Sequence, residues 1–185
     1  MQRAIAGILF CIAIASYVPA ARAEFNILPT PRHLTQGQGA FELRDGDLIA
    51  APADARAQWI AGFLRDALHD QAGVDLQVVA APERGRIGLR IDPSIRGAEA
   101  YRLVVTPRSV MISAAGERGL FWGVQTLRQL LPLQQEVPPA IPAVSIEDAP
   151  RYAWRGVMLD TARHFYPVDF IKQQIDLMSY YKFDV

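Results

Sequence analysis

A strand, a helix and the start of a second strand close this chain in "WRGVMLDTARHFYPVDFIKQQIDLMSYYKFDV", Trp154 to Val185. Nothing else in the sequence restricts the fold as much. Strands joined by a helical crossover run parallel, and one such unit closes neither a (β/α)8 barrel nor a doubly wound sheet. "RGVMLD" reads as the strand, with Pro167 as the first helical residue. Ile171, Ile175 and Met178 form the helix's inner face, and "KFDV" begins the next strand. The segment therefore reads as the first β-α unit of a truncated barrel. Met158, Ile171, Ile175 and Phe183 lack partners within it, which predicts a sticky or disordered tail.

Upstream, Phe25 to Ser145 reads as an α+β unit, a sheet with helices on one face. Asp54 to Gln71 is an amphipathic helix carrying Ile60, Phe63, Leu64, Ala67 and Leu68 on one face, stopped by Gly73. "FEL", "DLIA", "LQVV" and "RIGLRI" read as strands, and "YRLVVT" with "SVMISA" as an antiparallel hairpin about Pro107-Arg108. A second helix spans Arg118 to Leu131, with Leu120, Val124, Leu127 and Leu131 stacked along it and Pro132 ending it. "LQQEVPPAIPAVSIEDAP", with four prolines, reads as a stiff connector. The expected organisation is a leader over 1–23, an accessory unit over 24–145, a linker over 146–153 and the barrel start over 154–185.

The leader has the layout of a secretory signal peptide. Arg3 opens it, an apolar stretch follows, and "ARA" at Ala21 to Ala23 is a small-residue cleavage signal. Export to the periplasm or medium is the expectation, with no membrane attachment after cleavage. Cys11, the only cysteine, lies inside the leader. The mature chain then has no disulfide, no thiol nucleophile and no Cys-ligated metal. Cleavage leaves 17 basic against 19 acidic residues, a balance that argues against nucleic acid as a partner.

Chemistry-bearing residues are few. Adjacent Glu147 and Asp148 point to opposite sides of an extended chain and read as solvated surface. His33, His69 and His164 share no metal-ligand spacing, and no G-x-S-x-G is present, so neither a metal site nor a serine triad is expected. Gly116 and Gly119 of "GERG" read as a turn and helix start. Arg155 stands on an apolar strand face, where it either reaches out to solvent or offers its fork of donors to neighbouring hydroxyls of a ligand. Asp160 lies at the C-terminal end of the strand, where barrel enzymes place functional groups. Arg163 is in reach to pair with it, and His164 reads as packing support.

The Trp154-Arg155-Gly156, Leu159-Asp160 and Arg163-His164-Phe165 elements, with the helix after Pro167, resemble the opening of the catalytic barrel of glycoside hydrolase family 20, the β-N-acetylhexosaminidases. "YRLVVTPRSVMISAAGERGLFWGVQTLRQLLP" resembles the end of that family's accessory domain. The resemblance implies removal of terminal N-acetylglucosamine or N-acetylgalactosamine from β-linked glycans, so the implied partner is an amino-sugar glycan, with no cofactor. The substrate's own acetamido oxygen would attack the anomeric carbon, assisted by an adjacent Asp-Glu pair. It also implies that Arg155 binds sugar hydroxyls, with Asp160, Arg163 and His164 at the rim or support of the pocket. The family's His-x-Gly-Gly-Asp-Glu segment does not occur in the chain, which is thus expected to be inactive alone. Two rival readings remain: an exported glycan-binding or scaffold module, disfavoured by the lack of aromatic runs in 24–145, and another glycosidase family with a similar accessory domain.

Overall fold

The computed structural model describes residues 25–81, 85–132 and 138–185. The expected leader, Cys11 included, and residues 133–137 of the proline-rich stretch lie outside the described residues. Seven strands form one mixed sheet: β1 (His33–Glu42), β2 (Leu48–Ala50), β3 (Gln77–Val79), β4 (Ile87–Ile91), β5 (Tyr101–Val105), β6 (Val110–Ala114) and β7 (Ala140–Asp148). Their order is β1-β7-β5-β6-β4-β2-β3. β5 pairs antiparallel with β6, as the hairpin reading predicts, and with β7, which pairs antiparallel with β1. β6, β4, β2 and β3 follow one another in parallel.

Alternation along the strands sorts the two faces. Leu89, Ile112, Leu103 and Ile146 stand opposite one another across β4, β6, β5 and β7, all buried. The next row, Arg90, Ser113, Arg102 and Glu147, lies on the far face, and its three charged members reach solvent.

Two helices cover the apolar face. α1 (Ala55–Ala72) starts where Asp54 accepts the Ala57 N–H at 2.9 Å and ends at Gly73, whose φ of 68° suits a residue without a Cβ. α2 (Glu117–Gln129) carries the expected stripe, with Leu120, Val124 and Leu127 fully buried. Each such side chain contributes roughly 1.5–3 kcal/mol by leaving water. Trp59 of α1 stacks on Phe121 of α2 and Phe63 meets the same ring at a tilt, joining the helices into one layer.

The proline-rich connector is corrected by the structure. Its second half is β7, an interior strand between β1 and β5, so the first three residues of the expected 146–153 linker are strand. Val144 and Ile146 point inward while Ser145 and Glu147 point out. Pro142 fits because it lies beyond the Val105–Val144 pair that ends the β5 ladder, and pairs with Ala40 just past the irregularity in β1 between Gln36 and Ala40. Gly37 supplies room there, since a Cβ on it would meet the Ala143 Cβ at 3.0 Å.

After β7 the chain reaches the barrel start. Residues 155–157 form no long ladder, but two backbone bonds link them to the chain's end. The Val185 N–H donates to Arg155 O at 3.2 Å and the Val157 N–H to Val185 O at 3.1 Å, which sets Gly156 beside Val185 in parallel. Between them runs α3 (Val168–Tyr180), with Pro167 just before its first turn rather than inside it. No residue of α3 is buried, and Ile175, assigned to its inner face, is exposed. Met158 is also bare, at 91 % exposure, whereas Ile171 and Phe183 are half-buried.

Candidate functional site

Four residues were singled out from the sequence, and the structure separates them. Asp160 ends the first barrel segment and shapes the turn after it. Its Oδ1 accepts the N–H groups of Ala162 at 3.0 Å and Arg163 at 3.1 Å, and its Oδ2 receives the Arg163 Nε at 3.2 Å. The Arg163 side chain is 91 % exposed, so its guanidinium is held by one edge and open on the other. His164 is exposed too, edge-on to Tyr166, which stacks on Phe170 at the start of α3.

Arg155 is elsewhere and otherwise engaged. Its side chain is 14 % exposed and its guanidinium bonds to protein. Its Nε donates to Lys182 O at 2.8 Å, one Nη to Tyr152 O at 2.7 Å, and the other to a carboxylate oxygen of Glu99. Asp184 lies at 3.8 Å and accepts the Arg155 backbone N–H, and the Trp122 ring lies 5.8 Å below. Every arm of the guanidinium is spent on protein. In this structure the residue fastens the barrel start to the accessory unit.

The same junction gathers groups the sequence did not single out. Glu99 also receives the Trp122 indole N–H at 2.9 Å and faces Arg118 at 3.2 Å. Beside it, buried Lys182 donates to the Tyr101 hydroxyl at 2.8 Å and to Asp148 at 3.2 Å. The Tyr101 hydroxyl donates to Asp148 at 2.9 Å and meets Thr126 at 2.6 Å. Asp148 is thus no solvated surface group, unlike its neighbour Glu147, which pairs with Arg102 on the exposed face. Lys182 adopts φ of 62°, the left-handed region, to turn from α3 into the next strand with its ammonium pointing inward.

Glu99, Tyr101, Trp122, Asp148, Arg155 and Lys182 line a cleft of about 550 Å³. Both carboxylates that line it face cations: Glu99 faces Arg118 and Arg155, and Asp148 faces Lys182. These pairs join the accessory unit to the barrel start across the cleft. Among the described residues no group of three or more His, Cys, Asp and Glu gathers to hold a metal.

Burial, reinforced by the charge of Asp148, pushes the Tyr101 phenol well above its ordinary 10.0. The folded chain therefore keeps that proton where the unfolded chain gives it up, and the stability it protects is complete below pH 10 and drains away above it. Burial pulls Lys182 below its ordinary 10.5, with the opposite sign: stability rises with pH until 10.5 and then levels. Above 10.5 the tyrosine dominates, at roughly 1.4 kcal/mol per pH unit. Urea midpoints measured from pH 10.5 to 11.5 should fall in the native chain and fall much less in Tyr101→Phe. Tyr180, shifted the same way by its burial, supplies the remainder. An unchanged slope in the variant would place the proton elsewhere.

Sequence runs also hide an aromatic patch. Trp59, 56 % exposed, stacks with Phe63 and Phe121, three residues drawn from two helices that no linear run reveals.

Fold and site together define a two-part molecule, an α+β accessory sheet whose helix layer is fastened to the opening β-α-β unit of a parallel barrel. Residues 24–149 match glycosyl hydrolase family 20, domain 2, and residues 152–185 match the glycosyl hydrolase family 20 catalytic domain. The chain belongs to glycosyl hydrolase family 20. It is 35 % identical to a beta-hexosaminidase of Porphyromonas gingivalis over 174 residues, 89 % of this chain and 22 % of that protein. An N,N'-diacetylchitobiase of Vibrio harveyi is 33 % identical over 85 % of this chain and 17 % of its own length. The structure of Streptomyces plicatus N-acetyl-beta-hexosaminidase in complex with Thio-NAglucal superposes with a TM-score of 0.78 at 38 % identity, covering 85 % of this chain and 32 % of that one. The chain thus spans about a fifth of the first curated relative and a third of that solved structure.

Proposed function

We propose that this chain is the front of an exported β-N-acetylhexosaminidase, made with a leader removed after Ala23. The complete enzyme would release terminal N-acetylglucosamine or N-acetylgalactosamine from β-linked glycans. In that reaction the substrate's acetamido oxygen bonds to the anomeric carbon as the glycosidic C–O bond breaks, and a carboxylic acid protonates the leaving oxygen. Water, deprotonated by the same carboxylate, then reopens the oxazolinium ring with net retention. The observation that carries this reading is the match of both halves of the chain, in order, to the two domains of one glycosidase family. The Streptomyces plicatus enzyme binding an amino-sugar analogue supports the substrate class.

Within this chain, Arg163 is the residue proposed to face the sugar. It stands at the C-terminal end of the first barrel segment, exposed, with Asp160 fixing one edge of its guanidinium. A planar fork anchored this way suits a pair of neighbouring hydroxyls. Asp160 and His164 shape and support that rim.

The 185-residue chain contains no adjacent Asp-Glu pair in that order, and by itself it should release nothing from a chromogenic N-acetylglucosaminide. The complete enzyme should hydrolyse it, and Arg163→Ala in that enzyme should lower kcat/KM on the order of 100-fold, since charged hydrogen bonds to substrate are lost. Its melting temperature should not move, because the side chain is exposed. Hydrolysis by the short chain, or an unimpaired Arg163→Ala enzyme, would sink the respective half of this reading.

A further inference from the structure

We infer that Glu99 and Asp148, both in the accessory unit, are positioning residues for the sugar-facing rim of the barrel. They do so by holding Arg155 and Lys182 at the entrances of its first two strands. This rests on the functional reading above and adds to it a role for the accessory unit, which becomes part of the binding apparatus rather than an appendage.

The rim loop, residues 160–167, hangs between two supports. On one side is the segment from Arg155 to Asp160, which spans roughly 16 Å at strand rise. On the other is α3. The accessory unit grips the far end of each. Glu99 takes the Arg155 guanidinium, whose other arms tie Tyr152 O and Lys182 O, so one side chain sets both strand entrances at once. Asp148, at the end of β7, takes the Lys182 ammonium with Tyr101 and Thr126 closing the ring of bonds. Gln125 of α2 donates to the Ser179 hydroxyl and Gln129 to Tyr180 O at 2.8 Å, fixing the last turn of α3.

These contacts compensate for what the barrel start lacks. α3 buries no residue and the strands share a single parallel bridge, so apolar packing within the segment does little to order it. Polar contacts to the accessory unit remain. All of them lie at the strand entrances and the helix end, opposite to Asp160 and Arg163, so a loosened grip is transmitted along the strand to the rim.

The test has two arms. In the 185-residue chain, Glu99→Gln keeps the acceptor for Trp122 and removes the charge facing Arg155. Amides of residues 155–167 should then exchange hydrogen at least about tenfold faster while β4 to β6 stay protected. Arg155→Lys, a second variant that keeps the charge but lacks the planar spread of donors on three nitrogens, should do the same. In the complete enzyme both variants should raise KM about tenfold with kcat within about threefold, because a displaced binding group weakens substrate positioning. A role confined to folding would lower kcat per total enzyme and leave KM unmoved, and that result overturns the inference, as does unchanged exchange over 155–167. If the unaltered complete enzyme hydrolyses no N-acetylhexosaminide, the functional reading fails, and the exchange arm alone decides whether the grip exists.

Discussion

Gly119→Val should abolish cooperative folding of the accessory unit, or lower its melting temperature on the order of 10 °C. Gly119 lies inside α2 where the helix presses on the β5 entrance. A Cβ there would collide with the Ala100 carbonyl oxygen and stand 2.8 Å from the Ala114 Cβ. The first obstacle is backbone, tied by the Ala100 N–H to Gly97 O at 3.0 Å, so no rotamer change relieves it. The helix must lift instead. Lifting it uncovers Leu120, Val124 and Leu127 on one side and parts Gln125 and Gln129 from α3 on the other. Overpacking alone costs about 1–3 kcal/mol and more where backbone must move, against a stability on the order of 5–15 kcal/mol. Gly62→Ala is the control. A Cβ at this α1 position meets nothing within 4 Å, so the substitution should be neutral or slightly stabilising. Thermal melts followed by circular dichroism would separate the two, and a Gly119→Val chain that melts like the native one would refute the close approach.

That glycine also marks where the sequence stopped being readable. "GERG" yields a helix start from its glycines, and Gly116 does cap α2, but a need for bare backbone at Gly119 arises from Ala100, nineteen positions away. The helices and the β5–β6 hairpin were legible because periodicity is local. The strand hidden in the proline-rich stretch was half legible: Val144, Ser145, Ile146 and Glu147 alternate, yet the prolines before them outweighed four residues of pattern. Only the partner strand, whose irregularity adjoins the Ala40–Pro142 pair, explains why proline is tolerated. At the site, Asp160 and Arg163 are near in sequence and their pairing could be read from spacing. Arg155 could not be placed, because its partner Glu99 lies 56 residues upstream and carries no motif. Lys182 left one clue, a lysine set between Tyr181 and Phe183 in a chain with only two lysines. A charge in apolar company asks for a buried partner.

Removing that partner should be worse than removing the lysine. Asp148→Ala leaves the Lys182 ammonium buried with no carboxylate beside it, and uncompensated buried charge costs about 3–5 kcal/mol. Lys182→Met keeps the volume and takes the charge away. Asp148 then still accepts from the Tyr101 hydroxyl at 2.9 Å and from the N–H groups of Arg32 at 3.2 Å and Ala149 at 2.9 Å, so the loss should stay near 1 kcal/mol. The asymmetry has a sharper consequence. Adding Lys182→Met to Asp148→Ala should restore stability, since the second change deletes the orphan the first created. Urea denaturation of the four chains, native, each single and the double, reads the cycle directly. If the double variant is weaker than Asp148→Ala alone, Lys182 contributes through packing or its left-handed turn rather than through its charge. If it is stronger, the buried ion pair at the junction is a device for joining two units and not a reserve of stability.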